Sequence, residues 1–239
     1  MRPKISVCIA TLNGEKYIKD QLVSVLNQID ENDEVVISDD GSSDKTLDII
    51  NSMGDHRVII FNNQHEHGFT KNFENALKHS TGDIIFLCDQ DDVWTKDKVE
   101  ISTLALKDCD LVVSDCYITN EYLTILNQSH FKVFGVTPGF WSNFLRPRYV
   151  GACISFKRHV LVKSLPFPKN QFLAPHDYWI TLIAEYFFKV KLIHTPLIYY
   201  RRHSNNASTG GTRSYFSYIK RISIRAYVLL NIFWRTYKN

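Results

Sequence analysis

The first hundred residues alternate short apolar runs with stretches of helical periodicity. That alternation restricts the chain to an α/β fold with a largely parallel sheet. Residues 5–10 form an apolar run of strand length, and Tyr17, Ile18, Leu22, Val25 and Leu26 then recur at helical spacing. Residues 34–38 predict a second strand, 47–53 a short helix and 58–61 a third strand. Residues 69–79 read as a helix with Phe69, Phe73, Ala76 and Leu77 on one face, and 83–88 as a fourth strand. Beyond residue 107 the pattern loosens. Residues 111–114 are strand-like, 117–126 suggest a hairpin around Asn120-Glu121, and 131–148, rich in aromatics, Gly and Pro, suggest a loop-heavy lid. Strand character returns over 150–156 and 192–200, and 176–188 predicts a helix.

Two predicted strands run directly into acidic clusters, Asp39-Asp40-Gly41-Ser42 and Asp89-Gln90-Asp91-Asp92. In open α/β sheets the ligand crevice lies beyond the carboxyl ends of the strands, so both clusters point there. Carboxylates gathered in one crevice repel unless a positive group sits among them. A divalent cation bridging to phosphate oxygens meets that need with hard oxygen ligands. Other acidic motifs fail. Asp89, Asp91 and Glu100 match positions 1, 3 and 12 of an EF-hand loop, but Val93 and Trp94 occupy a ligand position and the glycine position. No phosphate-binding G-x-x-x-x-G-K-[ST] and no G-x-S-x-G nucleophile motif occurs.

Composition removes further classes. With 44% hydrophobic and 22% charged residues, 239 residues suffice for a substantial core. The five cysteines (Cys8, Cys88, Cys109, Cys116, Cys153) are scattered and form no C-x-x-C pair, which argues against a disulfide framework or a thiolate zinc site. Met1-Arg2-Pro3-Lys4 is basic, but the apolar run behind it breaks at Thr11-Leu12-Asn13-Gly14, so a first strand is expected there rather than a secretory signal. The net charge of +3 conceals an asymmetry. Residues 1–185 carry 18 Lys/Arg against 25 Asp/Glu, whereas the ten charged residues after Glu185 are all basic. Residues 215–237 interleave Phe216, Ile219, Ile222, Tyr227, Leu230 and Trp234 with Lys220, Arg221, Arg225 and Arg235. Their apolar runs are far shorter than the roughly 20 residues a span needs. Two readings stand: a helix lying in a membrane interface, or a helix packed on the domain with its arginines in water.

Ile5-Ser6-Val7-Cys8-Ile9-Ala10-Thr11-Leu12-Asn13, Asp39-Asp40-Gly41-Ser42-Ser43-Asp44 with Thr46, and Asp89-Gln90-Asp91-Asp92-Val93-Trp94 together resemble the family 2 glycosyltransferases of the GT-A fold, in the family's order and spacing. The form D-Q-D-D-V-W with Lys98 behind it is similar to bacterial rhamnosyltransferase-like members. The resemblance implies a Rossmann-like α/β domain whose central sheet is mixed but mostly parallel and flanked by helices. It would span residues 1–206, with a nucleotide-binding half to about 107 and an acceptor half over 108–206, leaving 207–239 as a basic aromatic tail. It implies that Thr11, Asn13, Asp39 and Asp40 bind the donor nucleotide, with Lys71 and Asn72 as further polar contacts. Asp89 would lean to the ribose, and Asp91 would hold a Mg2+ or Mn2+ ion, with Asp89 and His203 as additional candidate ligands. Leu12 stands where the family often has a tyrosine. His176-Asp177 resembles the family's E-D pair with His in place of Glu, which makes Asp177 the expected general base. As a helix N-cap, Asp177 would be explained equally well by backbone hydrogen bonds. Gly151, Ala152 and His176 mark the acceptor region. The segment from Tyr200 to Asn206 resembles the family's R-x-H. Trp94 is expected to pack beneath the acidic loop; Trp141 and Trp179 could stack on sugar, with packing in the lid or core the favoured expectation for each.

The function so implied is inverting transfer of a sugar from a nucleotide-diphosphate donor, dTDP-rhamnose or a UDP-sugar. The acceptor would be lipid-linked or an oligosaccharide, in O-antigen or capsule synthesis at the cytoplasmic face of a bacterial inner membrane. Nucleic acid is not an expected partner. Two rivals are a nucleotidyltransferase on a related sheet and a non-catalytic membrane-associated binding module. The first needs a glycine-rich basic loop after the first strand, where Leu12-Asn13-Gly14-Glu15-Lys16 offers one glycine.

Overall fold

A computed structural model describes residues 2–64, 66–203 and 218–237. One nine-stranded sheet organises them: β1 (Ile5–Thr11), β2 (Glu34–Asp39), β3 (Val58–Asn62), β4 (Ile84–Asp89), β5 (Val93–Trp94), β6 (Leu111–Thr119), β7 (Ile125–Asn127), β8 (Ile154–Lys157) and β9 (Val190–Arg201). The helices are α1 (Ile18–Leu26), α2 (Thr46–Ser52), α3 (Phe69–His79), α4 (Lys98–Ala105), α5 (His130–Phe134), α6 (Phe140–Leu145), α7 (Arg158–Ser164), α8 (His176–Phe187) and α9 (Tyr218–Tyr237).

The strands lie in the order β3-β2-β1-β4-β8-β6-β9-β5, with β7 paired to β6. β1, β2, β3 and β4 are mutually parallel, as apolar strands covered by helices on both faces should be. Ile5, Val7, Cys8 and Ile9 are fully buried, so β1 is the floor of the core. The chain leaves β1 for β2 and β3 on one side, then returns to β4 on the other. This reversal opens a crevice at the carboxyl ends of β1 and β4. Register fixes what borders it: Thr11 pairs with Asp39 and Ala10 with Asp89. The two acidic clusters therefore flank the same strand end, two strand spacings or roughly 10 Å apart.

The second half is mixed. β8 runs antiparallel to β4 and β6, while β9 runs parallel to β6 and antiparallel to β5. The hairpin expected over 117–126 forms between β6 and β7, with Asn120 Oδ1 accepting the N–H groups of Tyr122 and Thr124. Residues 131–148 are not the loop-heavy lid that their Gly and Pro content suggests, because those glycines bound two short helices. The Ser129 hydroxyl accepts the Lys132 N–H at the start of α5, left-handed Gly135 (φ 60°) ends it, and Gly139 (φ 107°) precedes α6. The strand expected over 150–156 begins only at Ile154, after a 3-10 turn at Gly151–Cys153. α4, β5 and α7 have no counterpart in the sequence reading.

The C-terminal segment is a helix from Tyr218, and it packs on the body through Ile224, Val228 and Ile232. Arg235 donates to the carbonyls of Lys163, Leu165 and Pro166, and the Tyr227 hydroxyl accepts the Asn170 N–H at 3.0 Å. Tyr215, Phe216 and the join between the expected domain and tail, at 206–207, lie outside the described residues, as do Ser204, Asn205 and Asn206.

Candidate functional site

β4 delivers Asp89 to the crevice, and three residues later the chain enters β5, so Gln90, Asp91 and Asp92 form a short tight loop. Gln90 clips that loop to the end of β1. Its Oε1 accepts the Leu12 N–H at 2.9 Å and its Nε2 donates to the Leu12 carbonyl at 3.1 Å. Gly14 makes room for this clip, since a Cβ there would stand 2.5 Å from Gln90 Oε1. The carboxylates of Asp89, Asp91 and Asp92 each offer an oxygen, all within 4.8 Å of one another. Asp92, 1% exposed, joins Asp89 and Asp91, the two that the sequence marks, as a third member of the cluster. One Asp92 oxygen accepts the Arg201 N–H at 2.8 Å, holding the end of β9 to the loop, and the other has no protein partner.

β9 completes this side. His203 Nε2 lies 2.7 Å from Asp91 Oδ2, its ring stacks on Tyr17 at 4.8 Å between centroids, and the Arg201 guanidinium sits 4.5 Å from the same Tyr17 ring. Crowding has an electrostatic signature. Burial, then the charges of Asp91 and Asp177, push Asp89 up to about 8, and burial likewise carries Asp92 well above the carboxylate range. An all-oxygen donor set, crowded and with one buried oxygen lacking a partner, fits a hard divalent cation such as Mg2+ or Mn2+.

On the β2 side the expected nucleotide residues form the wall of the crevice. Asp39 Oδ1 accepts the hydroxyls of Thr11 (2.9 Å) and Ser42 (2.6 Å), and its Oδ2 accepts the N–H groups of Gly41 and Ser42. Asp40 accepts from Asn63 Nδ2 and the Gly68 N–H and contacts His67 Nδ1 at 2.9 Å. Both carboxylates are thus already engaged by the protein. Asn13 adopts a left-handed conformation (φ 50°), and its Oδ1 accepts the Ser43 N–H, joining the β1 and β2 loops. Lys71 and Asn72 diverge, as consecutive helical residues must. Asn72 donates to the Thr11 carbonyl at 3.0 Å inside the core. Lys71 pairs with Glu74 at 3.1 Å and lines a cavity of about 400 Å3 with Asn63, Glu66 and Asn75.

The residues expected on the acceptor side converge from two elements. A Cβ on Gly151 would stand 3.4 Å from both Asp177 Cβ and His176 Nε2, so the 3-10 turn abuts the start of α8. Pro175, not Asp177, is the N-cap; Asp177 lies in the first turn, where its Oδ1 accepts the Tyr178 N–H at 2.7 Å. His176 is buried, stacked on Phe73 at 4.1 Å, and neither ring nitrogen has a protein partner. Burial lowers its pKa. Of the expected Gly151-Ala152 pair only Gly151 reaches this surface, because Ala152 is 1% exposed. A fully buried Lys98 donates to the Ala152 carbonyl at 3.2 Å with its ammonium 5.1 Å from the Trp94 ring. It therefore braces the 3-10 turn at Gly151–Cys153. Trp94 is buried against Phe86, 5.4 Å between ring centroids, and Trp179 is core, while Trp141 is exposed. Among the described residues no helix is long and apolar enough to cross a membrane.

Comparison with known proteins agrees with this geometry. The model of glycosyl transferase family 2 matches residues 6–165. The chain is similar to the UDP-Glc:alpha-D-GlcNAc-diphosphoundecaprenol beta-1,3-glucosyltransferase WfaP of Escherichia coli, with 27% identity over 233 residues covering 93% of this chain and 88% of that protein. It is also similar to the dTDP-rhamnosyl transferase RfbG of Shigella flexneri, with 28% identity over 243 residues, 90% of this chain and 78% of that one. In structure it resembles residues 1–349 of S. aureus TarS in complex with UDP-GlcNAc, with a TM-score of 0.73 and 20% identity over 95% of this chain and 67% of that one. The chain belongs to glycosyl transferase family 2 and is a glycosyltransferase with the GT-A fold.

Proposed function

We propose that this enzyme is a metal-dependent inverting glycosyltransferase that moves a sugar from a UDP-sugar or dTDP-rhamnose to a lipid-linked saccharide. It would do so at the cytoplasmic face of a bacterial inner membrane, in cell-surface polysaccharide synthesis. The observation that carries the reading is the meeting of Asp89, Asp91 and Asp92, within 4.8 Å of one another, at the carboxyl end of β4. The names of the relatives, one acting on a diphosphoundecaprenol-linked sugar and one on a dTDP-rhamnosyl donor, support the donor and acceptor classes.

Under this reading the wall built by Thr11, Asn13, Asp39 and Asp40, with Asn72 behind it, receives the base and ribose, and Lys71 lies at its outer edge. Asp91, with Asp89, Asp92 and His203 as further ligands, would hold Mg2+ or Mn2+. Such an ion supplies neutralising charge to the departing diphosphate. Asp177 accepts the proton of the acceptor hydroxyl as that oxygen bonds to the sugar carbon and the bond to the diphosphate breaks. Gly151 leaves the space in which the hydroxyl approaches Asp177, and the buried His176 ring lies directly behind that space. Residues 1–206 form the catalytic unit, with the nucleotide side before residue 107.

A melting screen of UDP-glucose, UDP-GlcNAc and dTDP-rhamnose with and without Mn2+ tests the reading. The true donor raises the melting temperature only with the ion, by mass action on the native state, and Asp91→Ala abolishes the gain. An Asp91→Ala enzyme with full metal-dependent turnover overturns the assignment.

A further inference from the structure

The helix α9 is apolar on the wrong side for a helix that merely packs on a domain. Its inward stripe of Ile224, Val228 and Ile232 is buried against the body, yet Ile219, Ile222, Leu230, Phe233, Trp234 and Tyr237 are all more than half exposed. At about 100° per residue these six lie on the face opposite the buried stripe. No charged residue interrupts that outward arc. Lys220 and Arg225 border it, roughly 110° to either side of its centre. Arg225 and Arg235 are instead tied back to the body: Arg225 donates to the Leu145 carbonyl and Arg235 to the carbonyls of Lys163 and Leu165 at the end of α7. The bond to Leu145 brings α9 beside α6, where Leu145 and Trp141 are themselves 61% and 65% exposed.

We infer that the outward face of α9 docks on an anionic lipid bilayer, lying in the interface plane. Lys220 and Arg225, which border the outward arc, place cations at the rim of an apolar face, an arrangement that fits anionic headgroups around a buried apolar stripe. Aromatic side chains cluster toward the end of the helix, and Trp and Tyr favour the boundary between acyl chains and headgroups. The helix is also tied to the candidate acceptor site. Tyr227 holds Asn170, whose Oδ1 accepts the N–H groups of Phe172 and Leu173, and Ala174 and Pro175 then lead into His176-Asp177. Docking through α9 would present that end of α8 to a lipid-anchored acceptor. This last link rests on the transfer reaction proposed above, whereas the bilayer contact stands on α9 alone.

Sedimentation with vesicles tests it. The full chain should sediment with vesicles of phosphatidylcholine mixed with phosphatidylglycerol about tenfold more than with phosphatidylcholine alone, and high salt should erase the difference. The double variant Leu230→Glu/Phe233→Glu, altered only at exposed positions, should lose the binding at an unchanged melting temperature. Should it melt early, Leu230→Ser supplies the same comparison. Lys220→Glu should lower the preference for the anionic vesicles. Sedimentation needs neither donor nor cation, so its outcome is separate from that of the Asp91 experiment. Equal sedimentation of the double variant and the parent overturns the proposal. So does a dimer in solution that Leu230→Glu/Phe233→Glu splits, with no vesicle binding, because a second copy then covers the face.

Discussion

Gly151 and Asp177 are packed so that a Cβ on the glycine would stand 3.4 Å from the Cβ of the aspartate and 3.7 Å from its Oδ2. The carboxylate therefore has backbone, not a side chain, on the flank that faces Gly151. Asp177→Asn keeps the oxygen that accepts the Tyr178 N–H and removes only the basicity. The expected outcome is an unchanged melting temperature and donor affinity with transfer reduced about 10²- to 10⁴-fold, read from single-turnover transfer and donor titration. Transfer at the parent rate would eliminate Asp177 as the base.

The opposite end of the sheet sets acid stability. Glu34 begins β2, and its carboxylate accepts from the Ser6 hydroxyl (2.6 Å), the Thr81 N–H (2.6 Å) and hydroxyl (2.8 Å), and Lys4 Nζ (2.9 Å). Burial alone would raise its pKa, but these bonds outweigh burial and hold it at about 2, against an ordinary 4.5. A carboxylate lowered in the folded state stabilises fully above its unfolded pKa, and that stability drains away as pH falls from about 4.5 toward 2. The full effect is on the order of 3 kcal/mol. Urea midpoints measured from pH 6 to pH 3 should fall steadily for the parent and more shallowly for Glu34→Gln; parallel slopes would contradict the assignment.

The same end contains a position where only glycine fits. A Cβ on Gly82 would lie 2.6 Å from the Ser6 nitrogen and 2.7 Å from the Ile5 carbonyl carbon, both backbone atoms of the central strand. Gly82→Ala must displace β1 itself, a cost of about 2–3 kcal/mol. The melting temperature should drop by roughly 5–10 °C without selective loss of donor affinity in protein that remains folded. An unchanged melting curve would show that β1 yields freely there.

How much of this was legible beforehand follows from the range of the interactions. β1, β2, β3 and β4 with α1, α2 and α3 could be read because each is apolar at its own period and bounded by local breaks. The acid clusters could be read because strand ends and ligand crevices coincide in open α/β sheets. Asp92 could not be assigned, because its role depends on the Arg201 N–H, which arrives from β9 more than a hundred residues away. Lys98 was visible as part of the motif, but its task of holding the Ala152 carbonyl exists only once α4 and the 3-10 turn meet. Gly135 and Gly139 misled because a glycine that caps a helix and a glycine in a loop look alike in sequence. α9 was legible as amphipathic, and only its docked stripe reveals which apolar face is left outside.

His176 carries a mismatch between packing and polarity that a single substitution resolves. Its ring is 6% exposed and stacked on Phe73, with Phe69 edge-on at 6.0 Å, so a phenyl ring suits the site sterically. Both nitrogens lack protein partners, and leaving buried polar atoms unpaired costs about 1–3 kcal/mol. His176→Phe should therefore melt at the same temperature or a few degrees higher. If the nitrogens serve the acceptor hydroxyls, the same variant loses one hydrogen bond in the ternary complex. The acceptor KM should then rise about tenfold, the equivalent of roughly 1.4 kcal/mol, at unchanged donor affinity. A more stable variant with an unaltered acceptor KM would remove His176 from the acceptor site, and a variant of sharply lower stability would show that bridging water already satisfies the ring.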